Sequence, residues 1–212
     1  MNNELIKRLL SSIVLVATSF YAVIIGSYLF NFFILVVLLF SLFEWHKMSF
    51  KRNYYYLGIL FLLLSFYSVY ILRNDQLTIF DFLIILSICI LTDTGGFIFG
   101  KFFKGPKLTK ISPNKTYSGL IGSFILPLLV LSIFIFFFKD KFKLEVSFNI
   151  NFIIYICIIS GISQLGDLVI SYFKRLSNIK DTGKIIPGHG GILDRIDGMI
   201  FVFPFLLIWN LI

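Results

Sequence analysis

Long apolar runs alternate with short charged stretches along the whole chain. From Leu9 to Phe43 no residue is charged. As one helix that run would reach roughly 50 Å, against a hydrocarbon core of about 30 Å. It has to fold back once, and Gly26 to Asn31 holds the residues suited to the turn. Only segments that satisfy their own backbone hydrogen bonds can cross lipid, so each long apolar run is assigned to a helix. Seven are predicted: 9–26, 28–45, 55–72, 79–100, 118–138, 152–173 and 193–212. The expected fold is an all-α polytopic transmembrane bundle of about seven spans, with no repeat or soluble domain.

Composition agrees. Of the 212 residues 58% are hydrophobic and 14% charged, where a soluble domain is about half apolar and a quarter charged. Lys7 and Arg8 precede the first run, but no small-x-small cleavage site closes it, so it reads as an uncleaved helix. The basic residues then set the orientation. With the N-terminus cytoplasmic, 15 of the 19 Lys and Arg lie inside, leaving only Arg73, Lys139, Lys141 and Lys143 outside. A basic face beside anionic lipid accounts for the formal +8 charge, so no nucleic acid is needed as a partner. Cys89 and Cys157 sit in apolar runs and read as buried structural thiols. Glu44 and His46 read as interfacial residues beside an anchoring Trp45.

Against this background one polar stripe stands out. Ser163, Asp167, Ser171, Lys174 and Arg175 fall in a narrow sector of a helix at about 100° per residue. A carboxylate such as Asp167 is expensive in lipid unless it is paired or binds a cation. An interhelical ion pair, for instance with Lys174 or Arg175 of a neighbouring layer, is the structural alternative. Asp194 and Asp197, at i and i+3, and Asp93 in "LTDTGGFIFG" are expected at the same membrane side. Gathered acids repel unless something positive sits among them, and all-oxygen ligands suit Mg²⁺, with room for a second cation. In "IPGHGGILDR", Gly188, Gly190 and Gly191 lead into a helix start, a plausible phosphate cradle, although no Gly-Lys-Ser/Thr of a Walker loop is present. His189 suits a donor to phosphate or an acid, and with only two histidines in the chain zinc ligation is disfavoured. "KLTKISPNKTYSG" adds a turn at Ser112-Pro113 and a phosphate-sized charge at Lys115.

Together these residues resemble the phosphatidate cytidylyltransferases, or CDP-diacylglycerol synthases. The family's C-terminal signature is matched by Ser171, Lys174, Arg175, Lys180, Asp181, Gly183, Pro187, His189, Gly190, Gly191, Asp194, Arg195 and Asp197. Upstream, its Gly-Asp pair appears as Gly166 and Asp167, and its Asp-Thr-Gly element as Asp93 to Gly95. Its Ser-Pro-x-Lys-Thr element appears as Ser112, Pro113, Lys115 and Thr116, and Ser118 stands where the family usually has Glu.

The resemblance implies one integral membrane domain, with N-terminal helices over 1–78 and catalytic helices and cytoplasmic loops over 79–212. It implies that CTP and phosphatidate give CDP-diacylglycerol and pyrophosphate at the cytoplasmic face of a bacterial plasma membrane. The catalytic set would be Asp167, Lys174, Arg175, Lys180, Asp181, His189, Asp194 and Arg195. Substrates would meet Ser112, Lys115, Thr116, Ser171, Gly188, Gly190 and Gly191, and Asp167, Asp194, Asp197 and Asp93 would hold Mg²⁺. The lipid brings its own ionised oxygen as nucleophile, so positioning and charge neutralisation are the main tasks. A CTP-dependent lipid kinase acting on a polyprenol or phytol, and a transporter, are the alternatives, and a homodimer stays open.

Overall fold

A computed structural model of the chain describes residues 3–109, 112, 115–142, 149–186 and 190–211. Its elements are helices α1 (Asn3–Ile25), α2 (Ser27–Ser49), α3 (Tyr55–Ile71), α4 (Ile79–Phe103), α5 (Tyr117–Phe142), α6 (Ile150–Leu176), α7 (Leu193–Ile196) and α8 (Met199–Leu211). A π-helical turn, Leu72–Gln76, follows α3. Among the described residues there are isolated bridges but no strand.

Five helical segments are long and apolar enough to cross a membrane: Ser27–Ser49, Tyr55–Gln76, Ile79–Phe103, Tyr117–Phe138 and Ile150–Leu176. Two shorter apolar segments, Ile13–Ile25 and Met199–Asn210, accompany them. The chain is an integral membrane protein by this measure. The predicted fold-back falls at Gly26, which separates α1 from α2 with φ +67°. The expectation of one helix over 193–212 is corrected. The chain breaks at Asp197-Gly198, where the Asp197 carboxylate accepts the Gly198 N–H at 3.0 Å. A short acidic side chain bonding its neighbouring backbone competes with helix continuation.

The starts of α4, α5 and α6 are set by side-chain caps. The Thr78 hydroxyl accepts the Asp81 N–H at 3.2 Å, Thr116 accepts that of Gly119 at 3.1 Å, and Asn149 accepts that of Phe152 at 2.9 Å. Each cap satisfies a backbone donor that the first turn leaves without a partner.

The chain divides into two compact units, Met1–Leu83 with Phe173–Ile212, and Ile84–Tyr172. In the first, α3 packs on α2 and α8, and α2 also meets α1 and α7. Phe82 stacks on Phe203 at 5.2 Å with Phe30 edge-on to it, and Ser65 donates to the Ile200 carbonyl at 2.7 Å. In the second, α4 and α5 approach through glycines. A Cβ on Gly95 would lie 2.3 Å from the Gly122 carbonyl oxygen, and one on Gly119 would lie 2.7 Å from that of Gly96. Small residues that let backbones close up are a common solution for helix packing in lipid, where hydrophobicity gives no net attraction between helices. Buried Thr92 donates to Ser160 at 3.0 Å in the same unit. Cys89 is buried and Cys157 half-buried, both as free thiols.

Candidate functional site

In the first unit the site is built on the end of α6 and the loop after it. The Asn178 and Ile179 N–H groups donate to the Arg175 and Lys174 carbonyls, both at 3.0 Å, with Asn178 at φ +59°. This pair of bonds closing over a left-handed residue is a Schellman motif, and it turns the chain out of the helix. Lys174, in the last turn, then reaches back to Asp194: Nζ donates to Oδ1 at 2.8 Å, with the two side chains 11% and 5% exposed. The second carboxylate oxygen accepts the Thr182 N–H at 2.8 Å and the Gly191 N–H at 3.0 Å. Burial works to raise the Asp194 carboxyl. The charge and hydrogen bond of Lys174 and the two backbone donors outweigh it and hold the group below the usual carboxylate range. Asp194 is therefore an anion that holds Thr182 and Gly191 together.

A second acid holds the same loop, and the sequence reading missed it. Glu44 of α2 is 1% exposed. It accepts the Thr182 hydroxyl at 2.8 Å, the Ile192 N–H at 2.9 Å and the Leu193 N–H at 2.8 Å. The interfacial reading of Glu44 and Trp45 is thereby corrected. Trp45 is also buried, packs on Phe173 at 5.5 Å between ring centres, and donates to the Tyr55 carbonyl at 3.0 Å. His46 is exposed and pairs with the Tyr55 hydroxyl at 2.7 Å. The signal was available: an acid in an apolar helix is costly unless partnered, whatever aromatic residue stands beside it.

In the second unit, Lys115 and Asp167 form an ion pair at 2.5 Å, and Ser171 donates to the other Asp167 oxygen at 3.2 Å. Lys115 is held by its loop: its carbonyl accepts the Leu108 N–H at 2.8 Å, and its N–H donates to the Ser112 carbonyl at 3.0 Å. Thr116, expected to meet substrate, caps α5. Ser118, in the place of the family's Glu, pairs with Thr116 at 3.0 Å and donates to the Lys104 carbonyl. Asp167 is thus ion-paired, as in the structural alternative, but its partner is Lys115 from the loop before α5 and not Lys174, which pairs with Asp194, or Arg175, which donates to the Ile179 carbonyl.

Of the predicted stripe on α6, Ser163, Ser171 and Lys174 are buried and Asp167 is half-buried. Arg175 is exposed and its guanidinium donates to the Ile179 carbonyl at 3.1 Å. Lys180, Asp181, Lys184 and Arg195 are exposed, Asp197 is buried, and Asp93 lies on an exposed part of α4. Gly190 has φ +87° and its carbonyl accepts the Ile186 N–H at 3.0 Å. His189, Gly188, Pro187 and Pro113 lie outside the described residues.

Among the described residues no group of three or more His, Cys, Asp or Glu is gathered so as to hold a metal ion. The fit of Mg²⁺ therefore rests on single carboxylates completed by substrate phosphates and water, a common arrangement for this ion. Asp167 fits: it is part-exposed, and each oxygen with one partner keeps a lone pair. Asp194 is occupied by three donors and would become a ligand only on releasing one of them.

These features define a class: helical integral membrane proteins in which lysines neutralise isolated carboxylates and a glycine-containing charged loop is ordered on a buried acid. Comparison with known proteins places the chain within it. The sequence model of the cytidylyltransferase family matches residues 51–212. The chain is 37% identical to the phosphatidate cytidylyltransferase of Rickettsia prowazekii, over 96% of this chain and 91% of that one. It is 38% identical to that of Rickettsia bellii, over 98% and 91%. To the enzyme of that name from Staphylococcus haemolyticus it is 40% identical, over 81% and 66%. The chain belongs to the cytidylyltransferase family.

Proposed function

We propose that this protein is a phosphatidate cytidylyltransferase: it joins the CMP part of CTP to the phosphate of phosphatidate, giving CDP-diacylglycerol and pyrophosphate. The observation that carries this reading is the similarity to enzymes of that name over nearly the whole chain. The residue chemistry agrees with it. A lipid phosphate oxygen, already ionised near neutral pH, attacks the α-phosphorus of CTP, and the bond to the β-phosphate oxygen breaks. No deprotonating base is required. The obstacle is bringing two polyanions together, and lysines held against carboxylates suit that task.

In this reading the loop after α6, anchored on Asp194 through Thr182 and Gly191, binds the triphosphate at Gly188, His189, Gly190 and Gly191. Lys174, Arg175, Lys180 and Arg195 neutralise phosphate charge, with Asp181 beside them. Lys115, with Ser112, Thr116 and Ser171, serves the second anionic group. If Lys115 turned from Asp167 to a phosphate, the carboxylate would be left free as a ligand. Asp167 would hold Mg²⁺, with Asp93, Asp197 and Asp194 as the further candidates, and the ion would offset phosphate charge when bound. The whole chain would cross the plasma membrane of a bacterium seven times, α1 and α8 included, with its N-terminus and the loop after α6 in the cytoplasm where CTP is available.

Purified protein given labelled CTP, Mg²⁺ and phosphatidate is expected to release pyrophosphate and form labelled CDP-diacylglycerol. Asp167→Asn is expected to insert normally and lose this activity. CDP as product, or a fully active Asn variant, would overturn the reaction or the role of Asp167 respectively.

A further inference from the structure

Glu44 lies before residue 51, where the match to the family begins, yet it holds the centre of the signature loop. Both of its oxygens are engaged: Oε1 by the Ile192 N–H, Oε2 by the Leu193 N–H and the Thr182 hydroxyl. The loop is shaped to admit it. A Cβ on Gly183 would lie 2.5 Å from Oε1, and one on Gly191 would lie 2.3 Å from Oε2. The same two loop regions also hold Asp194, since Thr182 gives its N–H to Asp194 and its hydroxyl to Glu44. Residue 191 donates to Asp194, and the next two donate to Glu44. The acids therefore lock the two arms of the loop, 182–183 and 191–193, against each other.

From this geometry we propose that Glu44 is a positioning residue for the triphosphate-binding loop, fixing through Thr182, Ile192 and Leu193 the two arms, 182–183 and 191–193, that carry it. The proposal rests on the cytidylyltransferase reading for what the loop binds, though not for the order it gives the loop. A carboxylate is required because acceptors must be presented on both branches. Glutamine has the same size, but its NH₂ would point a donor at a backbone N–H, leaving a buried group without a partner.

The test uses the full-length protein in detergent with phosphatidate. Glu44→Gln is expected to raise KM for CTP by about tenfold or more, with KM for phosphatidate little changed. It should also speed tryptic cleavage after the exposed Lys184 of the loop. Thr182→Val should shift both readouts in the same direction by less, and Thr182→Ser, which keeps the hydroxyl, should restore them. A fall in apparent kcat with both KM values unchanged would mean that Glu44 only keeps molecules folded, and would overturn the proposal. Unchanged kinetics and cleavage would do so as well. If the unaltered protein makes no CDP-diacylglycerol, the functional reading fails, while the cleavage comparison still decides whether Glu44 orders the loop.

Discussion

Asp194 keeps its charge where burial opposes it, because Lys174 and two backbone N–H groups favour the anion more than burial penalises it. A carboxyl whose folded value is depressed stabilises the ordered loop above its unfolded value. That contribution is lost as pH falls through the folded value. Hydrogen exchange at the Thr182 and Gly191 amides, corrected for intrinsic rates, is therefore expected to show constant protection from pH 8 to about pH 5. Protection should fail only below the ordinary carboxylate range. Asp194→Asn should be less protected throughout and flat across that low-pH window. The sequence made Asp194, Lys174 and Asp167 visible as polar groups beside oil. It did not reveal who pairs with whom, since Lys115 stands 52 positions before Asp167 and Lys174 stands 20 before Asp194. Glu44 escaped for a different reason: a tryptophan next in sequence suggested a membrane surface, where the fold turns both inward.

Helices in this chain are delimited by local chemistry and brought together by small residues. The breaks at Gly26 and after Leu176 follow from residues with positive φ, and the starts of α4, α5 and α6 from side-chain caps. Such signals were legible. The break between α7 and α8 was marked as well, by the Asp197-Gly198 dipeptide, a common turn signal that the apolar run after it outweighed in the reading of one helix. Packing of α4 on α5 was hidden, although Gly95 was in plain view within a family motif. A Cβ on Gly122 would come 2.3 Å from that of Phe99 and 2.8 Å from the Gly95 carbonyl oxygen. Gly122→Val is expected to destabilise the protein by about 1–3 kcal/mol through this overpacking. A drop in thermal midpoint in detergent would register it, with the exposed Ile121→Val as a control that leaves the midpoint in place.

Across the whole molecule the hydrophobic and polar positions are partly inverted relative to a soluble protein. Ser41, Ser65, Ser68, Thr92, Ser123 and Ser160 are buried, while Tyr28, Phe32, Leu60 and Phe136 are exposed. That pattern fits lipid as the solvent of the helix surfaces, and it is why apolar runs located five of the seven predicted spans closely. The two outer segments are harder to place. Thirteen residues of α8 rise about 20 Å, short of a hydrocarbon core of about 30 Å, so a crossing there would thin the bilayer or draw polar flanks inward. In the proposed topology Lys51, between α2 and α3, and Lys184, after α6, would both face the cytoplasm, with Asp75 in the π-helical turn opposite. Lys51→Cys, Asp75→Cys and Lys184→Cys, each in a chain lacking Cys89 and Cys157, test this with a membrane-impermeant maleimide on intact cells. Only Asp75→Cys should be labelled, and all three after the cells are opened. Labelling of Lys184→Cys from outside would remove the loop from the compartment that holds CTP, and the proposed reaction could not then occur on that side.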